Sequence, residues 1–226
     1  MDPARPHHSP EQSPASLHLP RPTRRAMLRG GAGLALAMGA SAASLLTSGP
    51  TAHAQPRGGR RPRGVDYPKA EWIPADASNY TAADRPSEYP VEFVVIHVTQ
   101  ETYKDTVAIF QNPAKDVSSH YLVRSADGHV AQLVREKDVA WHAGNWDYNT
   151  RSIGIEHEGW IDEPDKWFTD EMYAASAALT ANICDDHAIP KDREHIIGHN
   201  EVPGADHTDP GPHWDWDRYI KLVKSS

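Results

Sequence analysis

A single cysteine, Cys184, in 226 residues excludes an internal disulfide, so the fold must be held by packing. Cations are also scarce. There are 23 Lys and Arg against 31 Asp and Glu, a formal charge of −8, and a nucleic-acid partner, which needs clustered positive charge, is excluded. Long hydrophobic runs are missing too: the weakly apolar stretch at 30–46 is short, diluted by Gly and Ser, and followed by Pro50. It is too weak for a membrane anchor. No convincing internal repeat is present. No His-Glu-x-x-His segment occurs either, which disfavours a zinc peptidase of that helical type.

What the chain does contain begins with a leader. Residues 1–22 are rich in Pro, Ser and His and read as disordered. Thr23-Arg24-Arg25 then precedes the mild apolar stretch, and Ala52-His53-Ala54 offers an A-x-A cleavage site. This pattern predicts a twin-arginine signal peptide over 1–54, a flexible linker over 55–65 and a catalytic domain over 66–226. The leader holds five Arg and two acidic residues, so its removal leaves a still more acidic product. No cysteine lies at the cleavage point for lipid attachment. The expectation is a soluble, extracytoplasmic monomer with no stable membrane anchor after cleavage.

Periodicity divides the domain into alternating strands and helices. The β-branched run at 92–98 predicts a buried strand, and 106–111 a short helix. Strands at 120–124 and 129–134 flank Asp127-Gly128, a tight-hairpin signature. In the strand at 152–158, Ile153, Ile155 and His157 share one face and Gly154, Glu156 and Glu158 the other. Met172, Ala175, Leu179 and Ile183 recur at helical spacing over 170–187, with Thr169 as N-cap and Pro190 beyond the end. Cys184 lies on this helix and reads as a buried small hydrophobe. An extended segment at 194–198 and a closing helix at 216–223 complete the pattern. The fold class is α/β, a single domain with a central mixed sheet flanked by helices.

Two distant segments offer metal ligands. His97 ends an apolar strand, His199 follows Gly198, and Asp209 opens the stiff sequence Asp209-Pro210-Gly211-Pro212. Taken singly, each has an ordinary reading, as a core histidine or a turn aspartate. Their joint position at the ends of ordered segments suits a tetrahedral Zn²⁺ with one position open to water, which is a catalytic arrangement.

Val95-Ile96-His97, Ser119-His120-Tyr121, Ala140-Trp141-His142-Ala143-Gly144, Ile153-Gly154-Ile155-Glu156-His157-Glu158-Gly159, Gly198-His199-Asn200-Glu201 and Thr208-Asp209-Pro210-Gly211-Pro212 follow one another in the chain. This ordered set, spanning about residues 91 to 216, closely resembles the zinc-dependent N-acetylmuramoyl-L-alanine amidases. Their fold family includes phage amidase-type lysozymes and peptidoglycan recognition proteins. The resemblance implies an amidase acting on peptidoglycan, with His97, His199 and Asp209 as zinc ligands and Glu156 as the catalytic carboxylate. Glu158 is the fallback for that role, or a group holding a ligand.

Where several family members carry lysine, two residues before the carboxylate ligand, this chain has His207. Imidazole can donate a hydrogen bond, so His207 is expected to steady the oxyanion; an alternative ligand or a plain loop residue are its other readings. Trp141, His142, His120 and Trp146 are candidates for the substrate groove, with core packing as the alternative for Trp141 and His120. Trp160, Trp167, Trp214 and Trp216 read as packing residues. A non-catalytic peptidoglycan-binding protein of the same fold is the competing functional class.

Overall fold

The computed structural model describes residues 64–226; the expected leader, and all of the expected linker except Gly64 and Val65, lie outside the described residues. A six-stranded mixed sheet runs through the domain. Its strands are β1 (Glu71–Trp72), β3 (Phe93–Val98), β4 (Tyr121–Val123), β5 (Val130–Gln132), β7 (Ser152–His157) and β8 (Ile196–Gly198). A separate antiparallel pair joins β2 (Tyr80–Thr81) to β6 (Val139–Ala140). The helices are α1 (Tyr103–Phe110), α2 (Trp146–Arg151), α3 (Pro164–Trp167), α4 (Asp170–His187) and α5 (Trp216–Ser225).

The sheet order is β1-β5-β4-β7-β3-β8, with only the β4–β5 pairing antiparallel. That pairing is the expected hairpin: Gly128 takes φ +67°, and its N–H donates to the Arg124 carbonyl at 3.0 Å. A Cβ at Gly128 would lie 2.5 Å from the Glu171 carbonyl oxygen, so the turn needs glycine for space as well as for its dihedral.

Alternation along β3 and β7 separates two environments. Val94, Ile96, Val98, Ile153 and Ile155 pack with Met172, Leu179 and Ile183 of α4 and with Tyr219 and Val223 of α5. Helix α4 forms because Thr169 Oγ1 accepts from the Met172 N–H, because Asp170 and Glu171 favour its positive end, and because a broad apolar face is buried. It ends where Ala188 turns left-handed at φ +56°. The other face of the sheet carries Val95, His97, Leu122 and Glu156, with Phe110 of α1 packed against Leu122. Parallel sheets place functional groups at the carboxyl ends of their strands, and here β3, β7 and β8 end together.

The segment before residue 92 packs on the domain. β1 extends the sheet beside β5, Tyr67 is buried, and Tyr80 packs against the Leu122 cluster. Trp72 is exposed beneath the Arg135 guanidinium, 4.2 Å from its ring centre. Trp160 and Trp167 pack on each other at 4.9 Å, and Trp214 is buried against Tyr173 and Tyr219, as packing residues should be. Cys184 is buried, and burial pushes its thiol up to about 12. No helix among the described residues is long and apolar enough to cross a membrane.

Candidate active site

The buried, β-branched β3 delivers His97 to the groove face near its carboxyl end, and β3 and β7 pair in parallel with His97 opposite Glu156. One register therefore sets a ligand candidate beside the carboxylate candidate. β8 pairs with the far edge of β3, and His199 leaves it at the first residue of a 3-10 turn. Asp209 arrives from a loop 111 residues away from Val98, whose N–H donates to Asp209 Oδ2 at 3.2 Å. The Asn200 N–H donates to the Asp209 carbonyl at 2.9 Å, tying this loop to the His199 turn.

Ligand atoms of His97, His199 and Asp209 all fall within 4.8 Å of one another, and all three residues are buried. His97 Nδ1 lies 3.1 Å from His199 Nδ1 and 3.4 Å from Asp209 Oδ2, while His199 Nδ1 lies 3.2 Å from Asp209 Oδ1. A tetrahedral Zn²⁺ with bonds of about 2.0–2.1 Å requires ligand atoms about 3.3 Å apart. The donor set and its spacing fit such an ion.

The electrostatics suit the same cation. Burial raises the Asp209 carboxyl, but hydrogen bonds to His199 and His97 outweigh this and hold it well below the usual carboxylate range. Burial lowers the His97 imidazole, so it is neutral at physiological pH and has a lone pair to give. Glu156 is half-buried, and its Oε2 is shielded from solvent without a hydrogen-bond partner. Burial, and then the charge of Asp209, push Glu156 well above its ordinary value. An unsatisfied carboxylate of raised basicity next to three clustered donors is equipped to hold a proton in transit.

A groove of about 670 Å³ opens over these residues, lined by His97, His199, Asp209, Glu156, Trp141 and Trp146 among others. Trp146 is 54 % exposed, at the start of α2. Trp141 is half-buried and its indole N–H donates to Thr81 Oγ1 at 3.0 Å, so β2 steadies this wall. His207 also lines the groove, exposed and stacked on His199 at 4.3 Å. Its Nδ1 stands 3.8 Å from Asp209 Oδ1, too far for a hydrogen bond.

Two sequence expectations need correction, those for His120 and Glu158. His120 is fully buried beneath β7: its Nδ1 accepts from the Gly154 N–H at 3.0 Å and its Nε2 lies against Asp138 and Arg85. A side chain sealed in this way does not reach a substrate. His142 touches the groove floor, but its Nδ1 faces His97 Nε2 at 2.9 Å and its Nε2 faces Ser152 Oγ at 3.2 Å. His142 thus lines the groove, as expected, with both ring nitrogens engaged within the protein. Glu158 lies beyond the end of β7, where its carboxylate accepts from the N–H groups of Tyr103 and Ser125, each at 2.9 Å. It caps the positive end of α1 and is not a reserve base.

Sequence reasoning also missed Arg85. Its buried guanidinium donates to the carbonyls of Glu136, Thr150 and Ser152, at 3.0, 3.0 and 2.8 Å. Burial brings its pKa down to about 10 against the opposing charges of Glu136 and Asp138. In the sequence, Asp84-Arg85-Pro86 has only the look of an exposed turn.

Comparison with known proteins identifies the family. Residues 87–212 match the family described as N-acetylmuramoyl-L-alanine amidase. N-acetylmuramoyl-L-alanine amidase A of Achromobacter lyticus is 35 % identical over 176 residues, covering 70 % of this chain and 96 % of that protein. The 1,6-anhydro-N-acetylmuramyl-L-alanine amidase AmpD of Haemophilus influenzae is 38 % identical over 115 residues, 48 % of this chain and 59 % of the relative. Among solved structures, the amidase AmiD of E. coli in complex with anhydro-N-acetylmuramic acid-L-Ala-D-gamma-Glu-L-Lys superimposes with a TM-score of 0.51 at 28 % identity, over 62 % of this chain and 60 % of that one. An AmpD crystal structure gives 0.56 at 28 % identity, over 70 % and 96 %. The matched residues hold every ligand candidate and Glu156, and the chain belongs to the N-acetylmuramoyl-L-alanine amidase family.

Proposed function

We propose that the protein is a zinc-dependent hydrolase that cleaves the amide between the lactyl group of N-acetylmuramic acid and L-alanine in peptidoglycan. His97, His199 and Asp209 would hold the ion, and a zinc ion held there would polarise the carbonyl and lower the pKa of water to about 7. Glu156 accepts the proton of the attacking water on its unpartnered Oε2 and passes it to the nitrogen of the departing L-alanine. His207, exposed over His199, donates to the carbonyl oxygen as negative charge develops there. Trp146 and Trp141 supply apolar surface for the substrate on the groove walls.

The observation that carries this reading is the unpaired Glu156 carboxylate, set by strand register beside a three-donor cluster of tetrahedral dimensions. A non-catalytic binding protein would have no use for a carboxylate with a shielded, unsatisfied oxygen, which destabilises a fold. The leader pattern supports export by the twin-arginine route, to act on the wall outside the cytoplasmic membrane.

Digestion of purified cell wall tests the reaction. New L-alanine amino groups are expected, abolished by a chelator and restored by zinc, with no new reducing ends. Reducing ends, or release that ignores the chelator, would overturn the proposal.

A further inference from the structure

We propose that His142 is a positioning residue that fixes His97 in the tautomer whose Nδ1 lone pair faces the ion site. The inference rests on the ligand reading above and concerns the other side of the His97 ring. His97 Nδ1 is turned toward His199 and Asp209, while Nε2 points away into the protein, 2.9 Å from His142 Nδ1.

A neutral imidazole has one N–H and one lone pair. If Nδ1 is to bind a cation, the proton sits on Nε2 and needs an acceptor there. His142 Nδ1 accepts only when its own proton is on Nε2, and that nitrogen lies 3.2 Å from Ser152 Oγ. Ser152 Oγ in turn lies 2.5 Å from the carbonyl oxygen of Tyr148.

A main-chain carbonyl cannot donate, so the hydrogen between Ser152 and Tyr148 belongs to the serine. The hydroxyl then has only lone pairs to offer His142, which must donate from Nε2 and accept at Nδ1. His97 must therefore donate from Nε2. Reversing the chain would leave two oxygens at 2.5 Å with no hydrogen between them, and would put the His97 proton where the ion belongs. The Tyr148 carbonyl sets the direction of the whole relay.

The ring that transmits it has little freedom. A Cβ at residue 154 would stand 2.6 Å from His142 Cγ, so β7 makes room for the imidazole by having glycine there. Asn149 Oδ1 accepts from the N–H groups of His142 and Ala143 at 3.0 and 2.8 Å, holding the loop that carries the ring. His142 meets the His97 ring nearly edge-on, at 87°. Acceptors behind a metal-bound histidine fix its orientation and raise its basicity, and their loss typically costs about 10- to 100-fold in metal affinity.

Zinc affinity, by competition with a chelating indicator, tests the relay in the mature protein. His142→Leu should weaken zinc by about 10- to 100-fold. His142→Asn, which keeps an acceptor near the position of Nδ1, should recover most of that loss, as a merely space-filling role would not. Ser152→Ala leaves both rings in place and should weaken zinc by about 2- to 10-fold, which keeps the test open if the leucine variant does not fold. Nitrogen-15 NMR of the zinc-loaded protein should show the His97 proton on Nε2. Zinc affinity within twofold of the parent in folded His142→Leu or Ser152→Ala, or an unprotonated His97 Nε2, would overturn the inference and leave the ligand reading intact. An unaltered protein that binds no zinc would overturn both.

Discussion

His157 allows a stability prediction to be worked in numbers. Its Nδ1 donates to the His97 carbonyl at 2.7 Å and its Nε2 lies 2.6 Å from Ser176 Oγ, so it pins β3 to α4. It is fully buried, and burial drives its pKa from 6.5 down to about 3 despite the hydrogen bond to His97. The unfolded chain takes up a proton as pH falls through 6.5, whereas the fold refuses it until about 3. Stability from this group is thus complete above 6.5 and is lost as pH drops. Each pH unit in that window removes about 1.4 kcal/mol, or about 5 kcal/mol over the whole interval.

The perturbation is His157→Gln, compared with the parent by urea unfolding at about pH 7.5 and pH 5.5. Zinc is removed first, so that ligand protonation linked to metal release does not contribute. Between these conditions the parent should lose about 1.4 kcal/mol more than the variant. Glu156, raised in the fold, stabilises in the opposite sense as pH falls, and His120 and His142, lowered by burial, act with His157. All three are common to both proteins and cancel in the difference. The variant should therefore be less stable at pH 7.5, by about 1–3 kcal/mol for the lost hydrogen bonds, with the gap shrinking in acid. A gap that stays constant or widens would show that His157 is not held neutral by burial.

Other expectations concern the groove. Glu156→Gln should cut turnover by about 10²- to 10⁴-fold while one zinc per chain is retained by elemental analysis; activity near the parent's would remove Glu156 from the chemistry. His207→Ala should sharply reduce turnover and leave zinc in place, and loss of the metal would instead make His207 a ligand. Trp146→Ala should raise KM about fivefold, for about 1 kcal/mol of apolar contact, with kcat and Tm unchanged. A fall in Tm would mark it as a packing residue.

Much of this site was legible in the chain because its signals are local. Thr169 and the spacing of Met172, Leu179 and Ile183 delimit α4, and Asp127-Gly128 announces the β4–β5 hairpin, since caps and turns depend on a few adjacent residues. The alternation through Ile153, Glu156 and His157 placed the carboxylate on the face opposite Ile153 and Ile155, and the ordered motifs named His97, His199 and Asp209. What no local pattern carries is pairing across distance. Two-residue strands such as β1 and β2 have no periodicity to detect and exist only because β5 and β6 offer them partners. His120, His142 and Glu158 look alike as polar residues near motifs, yet one is sealed behind Gly154, one lies against His97, 45 residues away, and one caps α1. A side chain's partner is chosen by which backbones the fold brings within about 3 Å of it, and that is a property of the assembled sheet, not of its separate strands.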